Sequence, residues 1–498
     1  MENSYLGKKG YSIHKNNLTQ KQLTKIKKDL TVKAFIPKSS IGEAKPFPIY
    51  RESKNKLYVP RFYGINEFGI PKESKINSSK DIKLTFTSQL YPHQVPVVEQ
   101  YLNHVNNHGC GCGLLDLYCG YGKTVVALNI ISKLKKKTLI IVHKEFLLNQ
   151  WVERITQFLP DANIGKIQGQ TIDTENKDIV IGMLQSLSMK EYPSSLFDDF
   201  GFTIIDETHH ISAEVFSNAL FKVVTQYMLG LSATMNRKDG LTKVFKLFLG
   251  DIVVSKKRVN EHPVIVQGIE YNVNDEFFNE TVYNFKGQTH YALMISKLCE
   301  FNPRREFILS ILQNTLKQAN KDDQTIQIMI LAHNRNLLMY LYDAIEHRKI
   351  ATVGYYLGGM KEKDLKASES KQVIVATYAM AEEALDIKTL TTLIMATPKT
   401  DVTQAVGRIL RDKNNKHPLV MDIIDPHVIF RKQWMKRKKF YMKNNYKIIY
   451  SADYKNNIWE TIWDDKKKNA KSKNKNSTHG DFKDDNSKFL NKICLIED

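Results

Sequence analysis

The sequence predicts an α/β protein: two parallel sheets in tandem with helices on both faces, a small N-terminal extension and a basic, disordered C-terminal tail. Three observations predict it. Short, largely apolar runs recur at Leu139–Val142, Ile179–Ile181, Phe202–Ile205 and Met228–Leu231. After a pause they return at Ile326–Leu331, Val373–Ala376, Thr392–Met395 and Leu419–Ile424. Runs of that kind suit strands covered on both faces, as parallel sheets are. Between them, apolar residues fall at helical spacing, as at Val125, Leu128, Ile131 and Leu134. The chain has 498 residues, enough for two to four domains at about 150 residues each.

Taken in order, residues 1–85 form an N-terminal accessory region. Pieces such as Phe47–Tyr50 and Leu57–Gly64, punctuated by proline and aromatics, predict short strands rather than long helices. Residues 86–255 are the first α/β domain, 256–300 a connector and 301–450 the second. Residues 451–498 are assigned to the tail, whose stretch Lys466–Lys475 is built from Lys, Asn and Ser and is predicted to be disordered. Just before it, Arg431–Lys447 is a basic segment carrying Trp434, Phe440, Tyr441 and Tyr446, readable as a solvated leash or as a binding element.

The balance of 73 Lys+Arg against 53 Asp+Glu gives a net charge of +20. A charge that large favours a polyanionic partner; the alternative is a solubility feature of a Lys/Asn-rich proteome. Five scattered cysteines make no disulfide framework, and Cys110 and Cys112 form a lone C-x-C without a second pair. The start lacks the apolar core of a signal peptide, and no apolar run approaches the roughly 20 residues needed to span a bilayer. These features predict a soluble intracellular protein with no membrane partner.

Chemistry enters at Gly120-Tyr121-Gly122-Lys123-Thr124, which follows the apolar run Leu114–Leu117 and precedes a helical stretch. Glycines there let backbone N–H groups turn around phosphate oxygens, and the helix N-terminus adds its positive end. Lys123 is placed to reach the β- and γ-phosphates of ATP and Thr124 to hold Mg²⁺. The strict pattern wants glycine where this chain has Leu117. A Gly-Lys-Thr triplet can also be an accident of a turn, but strand and helix on either side argue against that. The complement is Asp206-Glu207 at the end of Phe202–Ile205. Adjacent carboxylates at a strand end are costly unless a cation neutralises them, so Asp206 is assigned to Mg²⁺ and Glu207 to the attacking water. An aspartate here could instead cap a helix. In the second domain Gln404, Arg408 and Arg411 lie near one another, with the two arginines three apart on one helical face. They suit stabilisation of charge on a γ-phosphate, or an ordinary basic surface.

In combination these motifs resemble, in order, those of superfamily 2 helicases and translocases. Leu90-Tyr91-Pro92-His93-Gln94 looks like the adenine-sensing element, with Gln94 the base reader. Leu117, Tyr118, Cys119, Gly120, Tyr121, Gly122, Lys123 and Thr124 form the ATP loop. Ile140–Lys144, with Leu147, Gln150 and Trp151, resembles a strand-gripping motif. Asp206, Glu207, Thr208 and His209 are a variant acidic box, with Thr208 where alanine is usual. Ser232, Ala233 and Thr234 match the motif that couples hydrolysis to movement. Ala376-Thr377 and Glu383-Ala384-Leu385-Asp386 resemble the motif touching both nucleic acid and ATP, with Ala384 where glycine is usual. Gln404–Arg411 matches the arginine-finger motif.

The resemblance implies two tandem RecA-like P-loop domains with ATP and Mg²⁺ as cofactors. Lys123, Asp206, Glu207, Gln404, Arg408 and Arg411 would be catalytic, Asp386 would join the ATP site, and His143, Lys144, Gln185, Arg237 and Thr377 would meet nucleic acid. Cys119, His210 and Met235–Gly240 are similar to the XPB-type DNA translocases and their large-DNA-virus relatives, with Lys238 replacing that branch's middle carboxylate. Leu57–Gly64 is similar to the front of poxvirus-type transcript-release helicases. DNA is therefore expected before RNA, with viral transcription or replication as the setting, transcription machinery as a partner, and host cytoplasm or virion as the location. An RNA helicase and a non-catalytic nucleic-acid scaffold remain the alternatives, with the motor subunit of a restriction-type nuclease behind them because neither flank carries a nuclease-like carboxylate cluster.

Overall fold

The computed structural model describes residues 4–33, 45–76, 79–107, 111–118, 120–207, 213–232, 241–257, 264–383, 387, 389–409 and 418–464, less the side chains of Ser194, Glu382, Glu383 and Arg408. The chain forms two compact units, residues 1–259 with 380–387 and residues 260–379 with 388–498.

The first unit is built on an eight-stranded sheet in the order Thr171–Asp173, Ile164–Gln168, Ile179–Met183, Thr138–Val142, Phe202–Ile205, Tyr227–Ser232, Cys112–Leu117, Ile252–Lys256. All neighbours run parallel except the edge pair Ile164–Gln168 and Thr171–Asp173. The central strands are apolar at nearly every position because both faces are covered. Successive residues serve opposite layers: Leu139 and Ile141 enter one core, Ile140 and Val142 the other. The helices Val95–Asn107, Lys123–Leu134 and Glu145–Phe158 supply buried residues to the second of these cores.

The N-terminal region forms a five-stranded sheet in the order Arg51–Glu52, Lys56–Val59, Gly10–His14, Ser4–Gly7, Glu73–Ser74. The predicted short strands are present, together with helices Gln20–Asp29 and Arg61–Phe68. The first helix is hard to see in sequence because its apolar side is narrow. Its start is set by a capping box in which Thr19 and Gln22 satisfy each other's backbone N–H groups. Tyr11, Ile13, Leu57 and Val59 share one core with Leu114, Leu139 and Ile141 of the large sheet. Buried Arg61 donates to the carbonyls of Thr225 (2.6 Å) and Gln226 (3.3 Å) and contacts Cys112 Sγ at 2.6 Å. The region is thus a layer of the first unit rather than an appendage.

The second unit repeats the plan: Val353–Tyr356, Val373–Thr377, Ile328–Ala332, Thr392–Met395, Leu419–Ile424, Ile265–Glu270, Lys447–Asp453, Ile458–Trp463. Only the last pair is antiparallel. Two expectations differ from this arrangement. The predicted connector contains Ile265–Glu270, a strand between two neighbours of the second sheet. The predicted tail contains Ile458–Trp463, which closes a hairpin whose turn includes Asn457 at φ +53°. The polar Lys455-Asn456-Asn457 obscures that hairpin in the sequence, but Tyr454 and Trp459 meet edge to face at 5.9 Å and pack against the core. The Lys466–Lys475 stretch lies outside the described residues, as does the rest of 465–498. Among the described residues no helix is long and apolar enough to cross a membrane.

Candidate active site

The C-terminal ends of parallel strands are where such sheets place ligands, and the predicted site of the first unit gathers there. Cys112–Leu117 leads into the glycine loop, Phe202–Ile205 into Asp206-Glu207, Tyr227–Ser232 ends in Ser232, and Thr138–Val142 leads to His143-Lys144. Leu117 is wholly buried in the core, so its side chain serves the sheet and leaves only backbone to a phosphate.

The loop is shaped by Gly120 at φ +86° and Gly122 at φ +89°, values that disfavour a side chain. Gly122 is also crowded, since a Cβ there would come within 2.3 Å of Gln94 Nε2. Gly122 begins the helix Lys123–Leu134, whose first turn carries Thr124. Gln94 is almost fully buried; its Oε1 accepts from Tyr91 N at 2.9 Å and its Nε2 donates to Tyr121 O at 3.0 Å. Gln94 therefore ties the upstream segment to the phosphate loop. Beside it Tyr91 and His93 stack at 5.7 Å, while His93 and Tyr118 each meet Tyr121 edge to face. Tyr91 is 62% exposed.

Across the loop, Lys123 Nζ lies 2.9 Å from Glu207 Oε1, with the two side chains 12% and 21% exposed. Glu207 N donates to Asp206 Oδ1 at 2.9 Å, and Glu207 adopts φ +49°, a conformation non-glycine residues rarely hold without support. Trp151 Nε1 donates to Asp206 Oδ2 at 2.9 Å. Burial pushes the Asp206 carboxyl up to about 6, neighbouring Glu207 adds to the rise, and Lys123 and Trp151 oppose it. Two carboxylates thus share one ammonium. A hard divalent cation held by Asp206 and the Thr124 hydroxyl fits that imbalance, and the two left-handed glycines fit a phosphate chain.

Two residues have a part beside the acidic pair or the loop that the sequence does not announce. Trp151, which the sequence places in the strand-gripping motif, lies buried on the helix Glu145–Phe158 and orients Asp206, a contact with the acidic pair that its motif does not announce. Asp116 accepts from Ser255 Oγ at 2.9 Å, and burial raises its carboxyl. Its signal was a single carboxylate in an apolar strand.

His143, Lys144 and Gln185 come together at one end of the sheet, where Gln185 Nε2 donates to His143 O at 3.0 Å. Gln185 is exposed and His143 is buried. In the second unit Thr377 ends the strand Val373–Thr377, half-buried, and Gln404 lies half-buried in the helix Thr403–Arg408. Cys119, Thr208, His209, Ala233, Thr234, Arg237, Asp386 and Arg411, and the side chain of Arg408, lie outside the described residues.

The family described as "Type III restriction enzyme, res subunit" matches residues 87–237, the stretch holding the loop and the acidic pair. A protein of Acanthamoeba polyphaga mimivirus, provisionally named ATP-dependent RNA helicase L396, is 34% identical over 473 residues, covering 92% of this chain and 89% of its own. Helicase 161L of Invertebrate iridescent virus 6, also a provisional name, is 25% identical over 455 residues, with 88% of this chain and 99% of its own covered. A protein of African swine fever virus (strain Badajoz 1971 Vero-adapted), provisionally ATP-dependent RNA helicase QP509L, is 27% identical over 376 residues, 70% of this chain and 73% of its own. With a phosphate loop facing an acidic pair at the strand ends of the first sheet, and the mimivirus relative aligned along nearly the whole length, the chain belongs to the superfamily 2 helicases.

Proposed function

We propose that this protein is an ATP-driven DNA helicase or translocase in which hydrolysis at the first unit's phosphate loop moves nucleic acid past the two sheets. The observation that carries the reading is Lys123 paired with Glu207 beside buried Asp206 at the carboxyl ends of parallel strands. When bound, ATP and Mg²⁺ supply the scissile phosphoanhydride and the positive charge that the carboxylate pair lacks. Lys123 holds the terminal phosphates, Thr124 and Asp206 hold the metal, and Glu207 accepts a proton from the attacking water. The exposed edge of Tyr91 is assigned to the adenine, and Gln94, whose amide is taken up by Tyr91 N and Tyr121 O, holds that segment against the phosphate loop. By the family likeness Gln404, Arg408, Arg411 and Asp386 are assigned to the nucleotide chemistry as well, the two arginines to charge on the transferred phosphoryl group. His143, Lys144, Gln185, Arg237 and Thr377 meet the phosphate backbone without reading sequence. Ser232-Ala233-Thr234 couples turnover to movement.

DNA is favoured by the likeness of Cys119, His210 and Met235–Gly240 to the XPB-type branch, and viral transcript release is the setting that likeness suggests. A second reading, an RNA helicase, is favoured by the provisional names of the mimivirus and African swine fever virus relatives. ATP turnover measured with single-stranded DNA, duplex DNA and RNA at matched salt separates them. DNA should raise the rate. Stimulation by RNA alone would transfer the assignment to RNA, and nucleic-acid binding with no ATP turnover would leave the non-catalytic scaffold.

Arg411→Ala should lower turnover by on the order of 10³-fold, as loss of an engaged arginine finger does, while nucleotide binding persists. Steady-state hydrolysis and titration with a fluorescent ATP analogue check both halves. An unchanged rate would remove Arg411 from the catalytic set.

A further inference from the structure

The basic segment near the second unit's end is an ordered helix, Val428–Lys443, sixteen residues long with no carboxylate in it. Its seven basic residues divide by role. Arg431 Nη1 reaches Glu270 Oε1 at 2.8 Å. Arg437 is fully buried against Asp422, with Nε–Oδ2 and Nη2–Oδ1 both at 2.7 Å, and its Nη1 donates to Lys399 O at 2.7 Å. Lys438 is half-buried, and desolvation lowers its ammonium pKa. The other four, Lys432, Lys436, Lys439 and Lys443, are all exposed. Among the described residues the helix's ion pairs are the two made by its arginines, so none of these four lysines has a carboxylate partner.

Spacings of three and four put the four lysines on one stripe. The stripe is about 16 Å long at a rise of about 1.5 Å per residue. The opposite side is anchored by Phe430, Trp434, Arg437 and Tyr441, all buried. Because Arg437 engages Asp422 through two bonds and Tyr441 Oη donates to Asp422 Oδ2 at 2.9 Å, the helix cannot rotate about its axis without breaking a buried network. A row of lysines with no carboxylate partner among the described residues, held outward by a buried lock, is a built electropositive surface, which a solvated leash would not be.

We propose that this stripe is a second nucleic-acid contact, a phosphate-backbone track on the outer helix of the second unit, separate from the motif residues at the strand ends. Its ligand is the sugar–phosphate backbone, gripped without regard to base sequence. Lysine suits the task because it acts as a mobile point charge and lets the strand slide. The inference rests on the helicase reading and adds a backbone contact that the strand-end motif residues do not include.

The test is a full-length variant with Lys432, Lys436, Lys439 and Lys443 each changed to Gln. Its control changes four exposed lysines elsewhere, Lys21, Lys54, Lys133 and Lys349, to Gln, with the same loss of charge. Binding of fluorescent single-stranded DNA is measured across a salt series. The helix variant should bind about tenfold more weakly or worse at about 0.1 M salt, and its log–log salt slope should flatten by about 3, one contact per lysine. The control should keep the wild-type slope. Equal losses in both variants would mean that only net charge matters, and would overturn the proposal. Full affinity and slope in the helix variant would overturn it too, leaving the stripe to an acidic protein surface. If the wild type binds no nucleic acid at all, the helicase reading fails first and this inference with it.

Discussion

Lys123→Ala should lower ATP turnover by on the order of 10³-fold, the scale on which removing one preorganised charge donor acts. Lys123 Nζ sits 2.9 Å from Glu207 Oε1, and it is the cation that offsets a raised Asp206. Without it the anionic triphosphate would meet two adjacent carboxylates with no ammonium between them. Lys123→Arg is the informative partner. It keeps the charge but replaces a compact ammonium with a planar fork in a pocket where the lysine is only 12% exposed. Nucleotide binding should recover in part while the rate stays low. Steady-state hydrolysis with and without DNA, alongside DNA binding by fluorescence anisotropy, checks the prediction. DNA affinity should be largely kept, since the loss is at the phosphate loop rather than on the strand. Turnover within tenfold of wild type in Lys123→Ala would remove the loop from catalysis.

The parts of the site legible in the sequence are those whose chemistry depends on neighbours along the chain. Gly120-Tyr121-Gly122-Lys123 announces its backbone turn because glycine tolerates φ near +90°. Asp206-Glu207 stands out because two carboxylates end an otherwise apolar strand. What stayed hidden depends on partners distant in sequence. Trp151, named only for the strand-gripping motif, reaches Asp206 across 55 positions, a contact visible only in the fold. Gln94 could be named as a reader of adenine, but its two bonds to Tyr91 and Tyr121 appear only once the loop is folded. At the level of fold, the buried strands of both sheets were visible because the apolar runs are nearly uninterrupted. The N-terminal layer was less so: its helix Gln20–Asp29 is mostly polar and buries only Ile26, so few apolar positions mark it. The strand Ile458–Trp463 was assigned to a tail because exposed, mixed residues at a sheet edge carry little pattern.

Separation in sequence, here 15 positions, also hid the lock beneath the lysine stripe, and it sets the largest stability effect. Arg437→Ala should destabilise the second unit by about 3–5 kcal/mol, the cost of leaving a buried charge without its partner. Asp422 would lose both guanidinium bonds and keep only the one from Tyr441, while itself remaining inaccessible to water. Lys399 O would lose its donor as well. An ion pair so buried is not stabilising merely by existing, because replacing both charges with apolar groups of similar volume is often neutral or favourable. Asp422→Leu with Arg437→Met should therefore regain most of the loss. Urea unfolding of the three proteins measures these differences, and a loss below about 1 kcal/mol in Arg437→Ala would show that water or another group compensates Asp422. The double variant also separates stability from orientation. It would restore the helix without the bidentate bonds that set its rotation, so amides of Val428–Lys443 should exchange faster than in wild type even where the unfolding free energies agree. If the ion pair serves to aim the lysines, DNA affinity should fall in that double variant although all four lysines remain.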